Sequence, residues 1–388
     1  MGAEFVVIGR GLMGTACARH LAEAGCRVVL VGPDEPSDPA RHNGPFGSFH
    51  DAGRITRNIA HDPVWARLST RSLARYREIE ARTGIWFYTP CGGLMAGLDH
   101  GAMAGFTAGF HETPRALGLV HERLEGARLS ERFAMFDLPE GSKGVFDPAG
   151  GHIDPRAMRR AHEALALAAG AEVVAEAAVG REGGTVILAD GRSLSAEHVV
   201  VATGGWASAA PLGMARPAMR VFQRTVVLAE ISETEAARLG DTPSLIWVPE
   251  NDPTDRYLLP PIRYPDGRIY VKIGGEDLSP EARDGEALNA WFRTAGGDEA
   301  GRSLLADLVK VMPDMRIERV LTAPCAVTFT KTGYPYIARV DAQATLLTGG
   351  NGAAAKCADE LGRLGAVAAL GGSVAAEGLG TDFAPVFD

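Results

Sequence analysis

The chain has 388 residues, 46% of them hydrophobic, and a mean hydropathy of −0.01, which suffices for a large buried core and two connected domains. A net charge of −9 argues against non-specific binding to nucleic acid or an anionic membrane, and no apolar run approaches the ~20 residues of a membrane span. With an apolar run starting near residue 4 and five cysteines (Cys17, Cys26, Cys91, Cys325, Cys357) lacking CxxC spacing, neither a cleaved leader, a disulfide framework nor a structural zinc is indicated, and a cytoplasmic protein is expected.

The first element is Glu4-Phe-Val-Val-Ile followed by Gly9, Gly11 and Gly14, a small-residue helical pattern to Gly25, and a second apolar run from Val28 to Val31. This reads as strand, turn, helix, strand. Gly9 allows the tight turn, Gly11 lets backbone approach a pyrophosphate and Gly14 lets the helix pack on the strand, so the unit is expected to hold a dinucleotide. The second strand should end in Asp or Glu for the adenosine ribose. Here Gly32-Pro33 stand in that place, which leaves Asp34, Glu35 or backbone for the contact.

A Gly/Pro-rich loop follows with His50, Arg54 and Arg57. The two arginines, three apart at the start of a possible helix, would share one face, either as a solvated basic turn or as the lining of a site. Val64 to Thr83 has helical apolar spacing, Gly92 to Gly97 reads as a short strand, Gly101 to Leu119 as helical and Leu129 to Phe146 as loop-rich. Asp154 and Pro155 read as N-cap and first residue of a helix ending near Gly170. A strand at Glu172, a hairpin at Asp190-Gly191 and the run Val199-Val-Val-Ala-Thr203-Gly204-Gly205-Trp206 follow, the last a second strand meeting a glycine turn.

From Phe222 to Gly274 the chain reads as antiparallel strands with Asp-Pro and Pro-Asp-Gly turns, a separate β-rich layer. Lys272 lies in an apolar strand, either as an edge lysine or as a buried functional one. A helical region from about Ala287 to Val311, broken at Gly296-Gly297, precedes Cys325 to Ile337. Then Thr345-Leu-Leu-Thr-Gly349-Gly350-Asn351-Gly352 leads into a small-residue helix, a third strand end and glycine turn.

These segments together resemble the D-amino-acid-oxidase-type FAD oxidoreductases, and within them monomeric sarcosine oxidase and N-methyltryptophan oxidase. The resemblance runs end to end. It implies an α/β fold: a Rossmann-like FAD-binding domain of glutathione-reductase type, residues 1–85, 148–214 and 322–388, with an antiparallel β-sheet substrate domain, residues 86–147 and 215–321. FAD would be held by Gly9, Gly11, Leu12, Met13, Gly14, Asp34, Ser48, Arg54, Val179, Thr203, Gly204, Trp206, Gly350, Asn351, Gly352 and Lys356.

The subgroup's Gly-Ser-x-His-x-x-x-Arg-x-x-Arg stands here as Gly47-Ser48-Phe49-His50, Arg54 and Arg57. The resemblance puts Arg54 near the flavin ring, Arg57 and Lys356 on the substrate carboxylate, and Lys272 beside the flavin to promote reaction with oxygen. Cys325, five before Thr330, matches the residue through which such enzymes attach FAD as a thioether, although a cysteine there can also be core. Where relatives often carry histidine this chain has Glu276, which would suit a second amine or larger cationic substrate; Phe49 and Tyr257 would join it in the pocket.

The implied reaction is oxidation of a secondary amine, an N-methyl or N-alkyl amino acid, to an imine that water hydrolyses, with O2 reduced to H2O2. Arg54, Lys272 and His50 would supply positive charge at the ring. The chain would work as a monomer or small homo-oligomer. Three alternatives stand beside it: a flavin dehydrogenase passing electrons to a carrier, a non-catalytic FAD-binding subunit, and an NAD-dependent dehydrogenase, the last disfavoured by three separate nucleotide-cradling segments.

Overall fold

The glycine-punctuated start forms β1 (Ala3–Ile8), α1 (Leu12–Glu23) and β2 (Val28–Val31) in a computed structural model that describes residues 2–249, 252–275 and 280–388. Next come β3 (Arg54–Thr56), α2 (Pro63–Thr83), β4 (Tyr88–Thr89), β5 (Gly93–Gly97), α3 (Ala104–Leu117), β6 (Glu122–Glu125), α4 (Ala127–Arg132), β7 (Lys143–Asp147) and β8 (Gly151–Ile153). The chain continues through α5 (Pro155–Ala168), β9 (Glu172–Val174), β10 (Ala178–Glu182), β11 (Thr185–Leu188), β12 (Ser193–Val201), α6 (Trp206–Ala209), β13 (Met219–Ile231) and α7 (Glu233–Arg238). It ends with β14 (Ser244–Trp247), β15 (Arg256–Arg263), β16 (Ile269–Gly274), α8 (Gly285–Phe292), α9 (Asp298–Val311), β17 (Arg319–Thr330), β18 (Tyr336–Asp341), β19 (Ala344–Thr348) and α10 (Ala354–Ala369).

The first sheet runs β10-β11-β12-β1-β2-β9, with β19 parallel to β12 and β18 antiparallel to β19. Its centre is parallel, with Val6 opposite Val199 and Val29 on β1 and β2's shared register. Val6, Val7, Val199, Val200 and Val201 are all fully buried, as expected of strands covered on both faces. Alternation sends Phe5 and Val7 toward α1, α2 and α10, and Val6 and Ile8 toward the β10–β11 hairpin and Leu212. The strand ends with their glycine turns are thereby gathered at one edge.

The second sheet, β17-β13-β16-β15-β14-β5-β7-β6, is antiparallel except where β14 meets β5. Its core face packs on Leu304, Leu308 and Val311 of α9 and Leu129 of α4. The boundary drawn at residue 322 falls inside β17, which pairs with β13 from Arg319 to Thr330. A small third sheet, β3-β8-β4, presents the loop between β2 and β3 to both larger sheets.

One local reading is corrected. Arg54 opens a strand rather than a helix, because β3 pairs with β8 from Arg54↔Ile153 to Thr56↔Gly151. Leu129 to Phe146 is loop-rich as expected, residues 133–142 running between α4, which covers the second sheet, and β7, which pairs with both β5 and β6. Asp154 caps α5 as expected: its carboxylate accepts the Ala157 N–H at 3.0 Å, with Pro155 first in the helix.

Burial also sets an acid limit on stability. His162 and His198 are 0% and 4% exposed, and burial holds them down to about 3 and about 4, so the fold favours their neutral forms. Their contribution is complete above the unfolded value of roughly 6.5 and is lost as pH falls toward the folded values. Urea unfolding at pH 7 and pH 5 should differ by on the order of 2 kcal/mol for each histidine, and His162→Gln should shrink that difference by one such share.

Candidate active site

Gly9 has φ +115°, and a Cβ on it would lie 2.3 Å from the Ala202 carbonyl oxygen at the end of β12. A Cβ on Gly14 would lie 1.8 Å from the Gly9 carbonyl oxygen, so α1 approaches β1 at a distance only glycine permits. Gly11 precedes Leu12 and Met13 at the start of α1, whose first N–H groups receive no side-chain cap. The start of α10, after Gly350, Asn351 and Gly352, is likewise without a side-chain cap. Asn351 holds φ +46° because its amide side chain accepts the Thr330 N–H at 2.9 Å and donates to the Gly349 carbonyl at 2.8 Å. The Thr203 hydroxyl, beside Gly204, is buried without a partner among the described residues. Uncapped helix starts, glycine backbone and an unsatisfied hydroxyl around the strand ends fit a dinucleotide.

The missing strand-end acid has a steric cause. A Cβ on Gly32 would come within 2.6 Å of the Arg10 Cβ, so the fingerprint's second residue occupies that space. Arg10 pairs with Asp34 at 2.5 Å and with Glu163 of α5 at 2.5 Å. Glu35 is bound by Arg156 at 2.7 Å and, despite its burial, is held down to about 2 by His50 and Arg156. Both acids after β2 thus already carry cations. Val179 is 59% exposed on β10, just beyond the β9 end that receives the Gly32 N–H.

The loop before β3 is tied to β17 by Ser48, whose hydroxyl donates to the Ala326 carbonyl at 2.9 Å and accepts the Ala326 N–H at 3.1 Å. That brings Cys325 beside Arg54, whose Nη2 is 3.7 Å from the sulfur. Trp206 donates to the Phe46 carbonyl at 3.1 Å and holds the other end of the loop. A cavity of about 340 Å³ lies here, with Ser48, His50, Asp51, Arg54, Arg156 and Cys325 on its wall.

Lys272 is 0% exposed on β16, which pairs with both β13 and β15, so it is an interior lysine and the edge reading falls. Its ammonium donates to Asp51 and, at 3.0 Å, to the Gly53 carbonyl. Burial, then the Arg54 charge, acts to lower its pKa, and the Asp51 carboxylate in contact with the nitrogen opposes both. His50 behaves differently from the cation expected of it. Burial holds its pKa below the usual histidine range despite Glu35, so the imidazole is neutral at pH 7 and the cavity's charge comes from Arg54 and Arg156.

Residues i and i+3 of an extended chain point to opposite faces, so Arg57 leaves Arg54 and the cavity and packs against Phe110 instead. Its guanidinium lies 5.6 Å from the Phe110 ring centroid and gives one N–H to the Ile59 carbonyl at 2.5 Å. Its buried Nε has no partner among the described residues, and burial lowers its pKa. Lys356, near the start of α10, is 3% exposed, 5.4 Å from the Trp65 ring, and donates to the Ala353 carbonyl at 3.2 Å. Burial and the neighbouring Arg57 bring it down to about 8. Tyr257 packs against the Phe110 and Ile59 cluster, with Lys272 5.7 Å from its ring, and so stands between Lys272 and the surroundings of Arg57. Glu276 lies outside the described residues.

Three groups were missed from sequence. Asp51 and Asp255 are single acids in irregular segments, which carry no periodic or motif signal; Asp255 feels burial first and the Arg57 charge second. Arg156, the second residue of α5, reads as an ordinary helix arginine until the fold brings it to Glu35.

Comparison with known proteins agrees with this arrangement. Monomeric sarcosine oxidase of Streptomyces avermitilis is 27% identical over 389 residues, covering 96% of this chain and 94% of that protein. N-methyl-L-tryptophan oxidase of Yersinia pestis is 25% identical over 212 residues, 53% of this chain and 54% of that one. Among solved structures, an open form of NikD, described as an unusual amino acid oxidase essential for nikkomycin biosynthesis, matches with a TM-score of 0.76 at 22% identity. It covers 100% of this chain and 98% of its own, and shows the shared fold. Among the described residues no helix is long and apolar enough to cross a membrane. The family of FAD dependent oxidoreductases matches residues 4–367, nearly the whole chain, and the chain belongs to that family.

Proposed function

We propose that the protein oxidises an N-methyl or N-alkyl amino acid at its C–N bond, giving an imine that water hydrolyses to an amine and an aldehyde or keto acid, with O2 reduced to H2O2. The observation that carries the substrate class is the buried pair Arg57 and Lys356, two desolvated cations with an unsatisfied Nε between Phe110 and Trp65. Two such charges repel unless an anion joins them, and a carboxylate has the charge and the planar geometry for the guanidinium. The relatives named sarcosine oxidase and N-methyltryptophan oxidase support the same class.

FAD, when bound, supplies the two-electron acceptor. The residues do the rest. Gly9, Gly11, Gly14 and the α10 turn offer backbone N–H groups to its phosphates. Arg57 and Lys356 orient the substrate by its carboxylate, while Phe110, Trp65 and Tyr257 exclude water from the amine, which reacts in its neutral form. Arg54 and Lys272 place positive charge at the cavity beside Cys325. The test is anaerobic mixing with N-methyl amino acids: loss of the yellow absorbance with an amino acid, and not with the same amine lacking its carboxylate, supports the reading. No bleaching by any of them removes it.

The Cys325 sulfur is proposed as the point of covalent FAD attachment, supported by its place on the cavity wall with the Arg54 guanidinium 3.7 Å away. After acid precipitation the yellow colour is expected in the protein pellet, and in the supernatant for Cys325→Ala. Free flavin from the unmodified protein would rule the thioether out.

A further inference from the structure

Lys272 does not stand alone at the wall of the cavity. Opposite it on β13 and β15 are Leu228 and Leu259, both apolar, so nothing in the sheet offsets its charge. The groups that do face it are Asp51, the Gly53 carbonyl, Arg54 from β3, Arg156 from α5, Cys325 from β17 and the Tyr257 ring. Of these Asp51 alone is an acid. Its carboxylate is held from four directions: by Lys272, by Arg54, by the Tyr264 hydroxyl at 3.0 Å and by the Ala52 N–H at 2.7 Å. Asp51 also lines the cavity, whereas Lys272 has no exposed surface and reaches the cavity wall through it. Another acid on the wall, Asp266, is engaged by the Tyr270 hydroxyl at 2.7 Å.

We propose that Asp51 is a positioning residue: it is the counter-ion that keeps Lys272 an ammonium and aims it at the cavity, so that reaction with oxygen depends on this carboxylate far more than amine oxidation does. The proposal rests on the oxygen role given to Lys272 above. Physically, a lysine sealed between leucines and next to an arginine would shed its proton to escape desolvation and repulsion. A carboxylate in contact opposes that preference, and the two donor bonds to Asp51 and the Gly53 carbonyl fix the nitrogen behind the cavity wall that Asp51 lines.

The chain contains five lysines, Lys143, Lys272, Lys310, Lys331 and Lys356, so a ¹³Cε-lysine spectrum of the intact holoprotein is simple enough to read, with Lys272→Met assigning the signal. In Asp51→Asn the Lys272 signal is expected to titrate at least about two pH units lower than in the unmodified protein, and Asp51→Glu to restore most of the shift. Reoxidation of reduced Asp51→Asn by oxygen should fall about tenfold per pH unit above that new midpoint, with anaerobic reduction by the amine affected far less. An unshifted Lys272 titration in Asp51→Asn overturns the proposal. So does a shifted titration with a reoxidation rate that stays flat with pH. If in that last case Lys272→Met also reoxidises normally, the oxygen role of Lys272 has failed while its pairing with Asp51 stands.

Discussion

Lys272→Met is expected to slow reoxidation of the reduced protein by oxygen about 10²- to 10³-fold while leaving anaerobic reduction by the amine within about tenfold. The asymmetry follows from where charge develops. In the amine half-reaction proposed above, the substrate is held by Arg57 and Lys356. In the proposed oxygen half-reaction negative charge would build on O2 near Lys272, which is 0% exposed and pinned by Asp51 and the Gly53 carbonyl. A fixed cation there costs no reorganisation when the charge appears, which is why one such group is worth two to three powers of ten. Methionine keeps the volume between Leu228 and Leu259 and removes only the charge. Stopped-flow mixing of reduced protein with oxygenated buffer measures it. An unchanged rate means that electrons leave to another acceptor, and the flavin dehydrogenase reading takes over.

The N-terminal cradle was legible because each of its glycines answers a distance: 2.3 Å at Gly9 and 1.8 Å at Gly14 leave room for no other residue, and such constraints show in sequence as spacing. The burial of Lys272 was half legible. An apolar strand around a lysine states that the charge is unusual, but whether the strand is an edge or interior depends on β13 and β15, which come from distant stretches. Arg54 and Arg57 were singled out as residues but put on one helix face. Three residues of strand pairing with β8 reverse that geometry and send one guanidinium to Asp51 and the other to Phe110, a tertiary effect that local spacing does not carry. Asp51 was invisible for a plainer reason. One acid in a loop rich in glycine and arginine looks solvated, and only the fold brings Lys272, Tyr264 and Arg54 onto it.

The carboxylate anchor decides whether the substrate is an amino acid at all. Arg57 follows β3 and Lys356 lies in α10, yet the Arg57 charge acts on Lys356, so the two cations lie near one another. A substrate carboxylate that joins them gains charge-assisted hydrogen bonds of roughly 1.5–3 kcal/mol each, including one to the Arg57 Nε that is otherwise unsatisfied. Arg57→Ala or Lys356→Ala should therefore weaken binding of an N-alkyl amino acid by about one to two powers of ten, with little change for the matching amine without a carboxylate. The pH dependence supplies an independent sign. Lys356 is charged below about 8, so carboxylate binding should weaken as pH rises through that value, and this dependence should vanish in Lys356→Ala. Titration of the flavin absorbance with each ligand from pH 6 to 9 reads both effects. Equal losses on both ligands would assign Arg57 and Lys356 to holding the cofactor or the fold, and the amino-acid substrate class would fall with them.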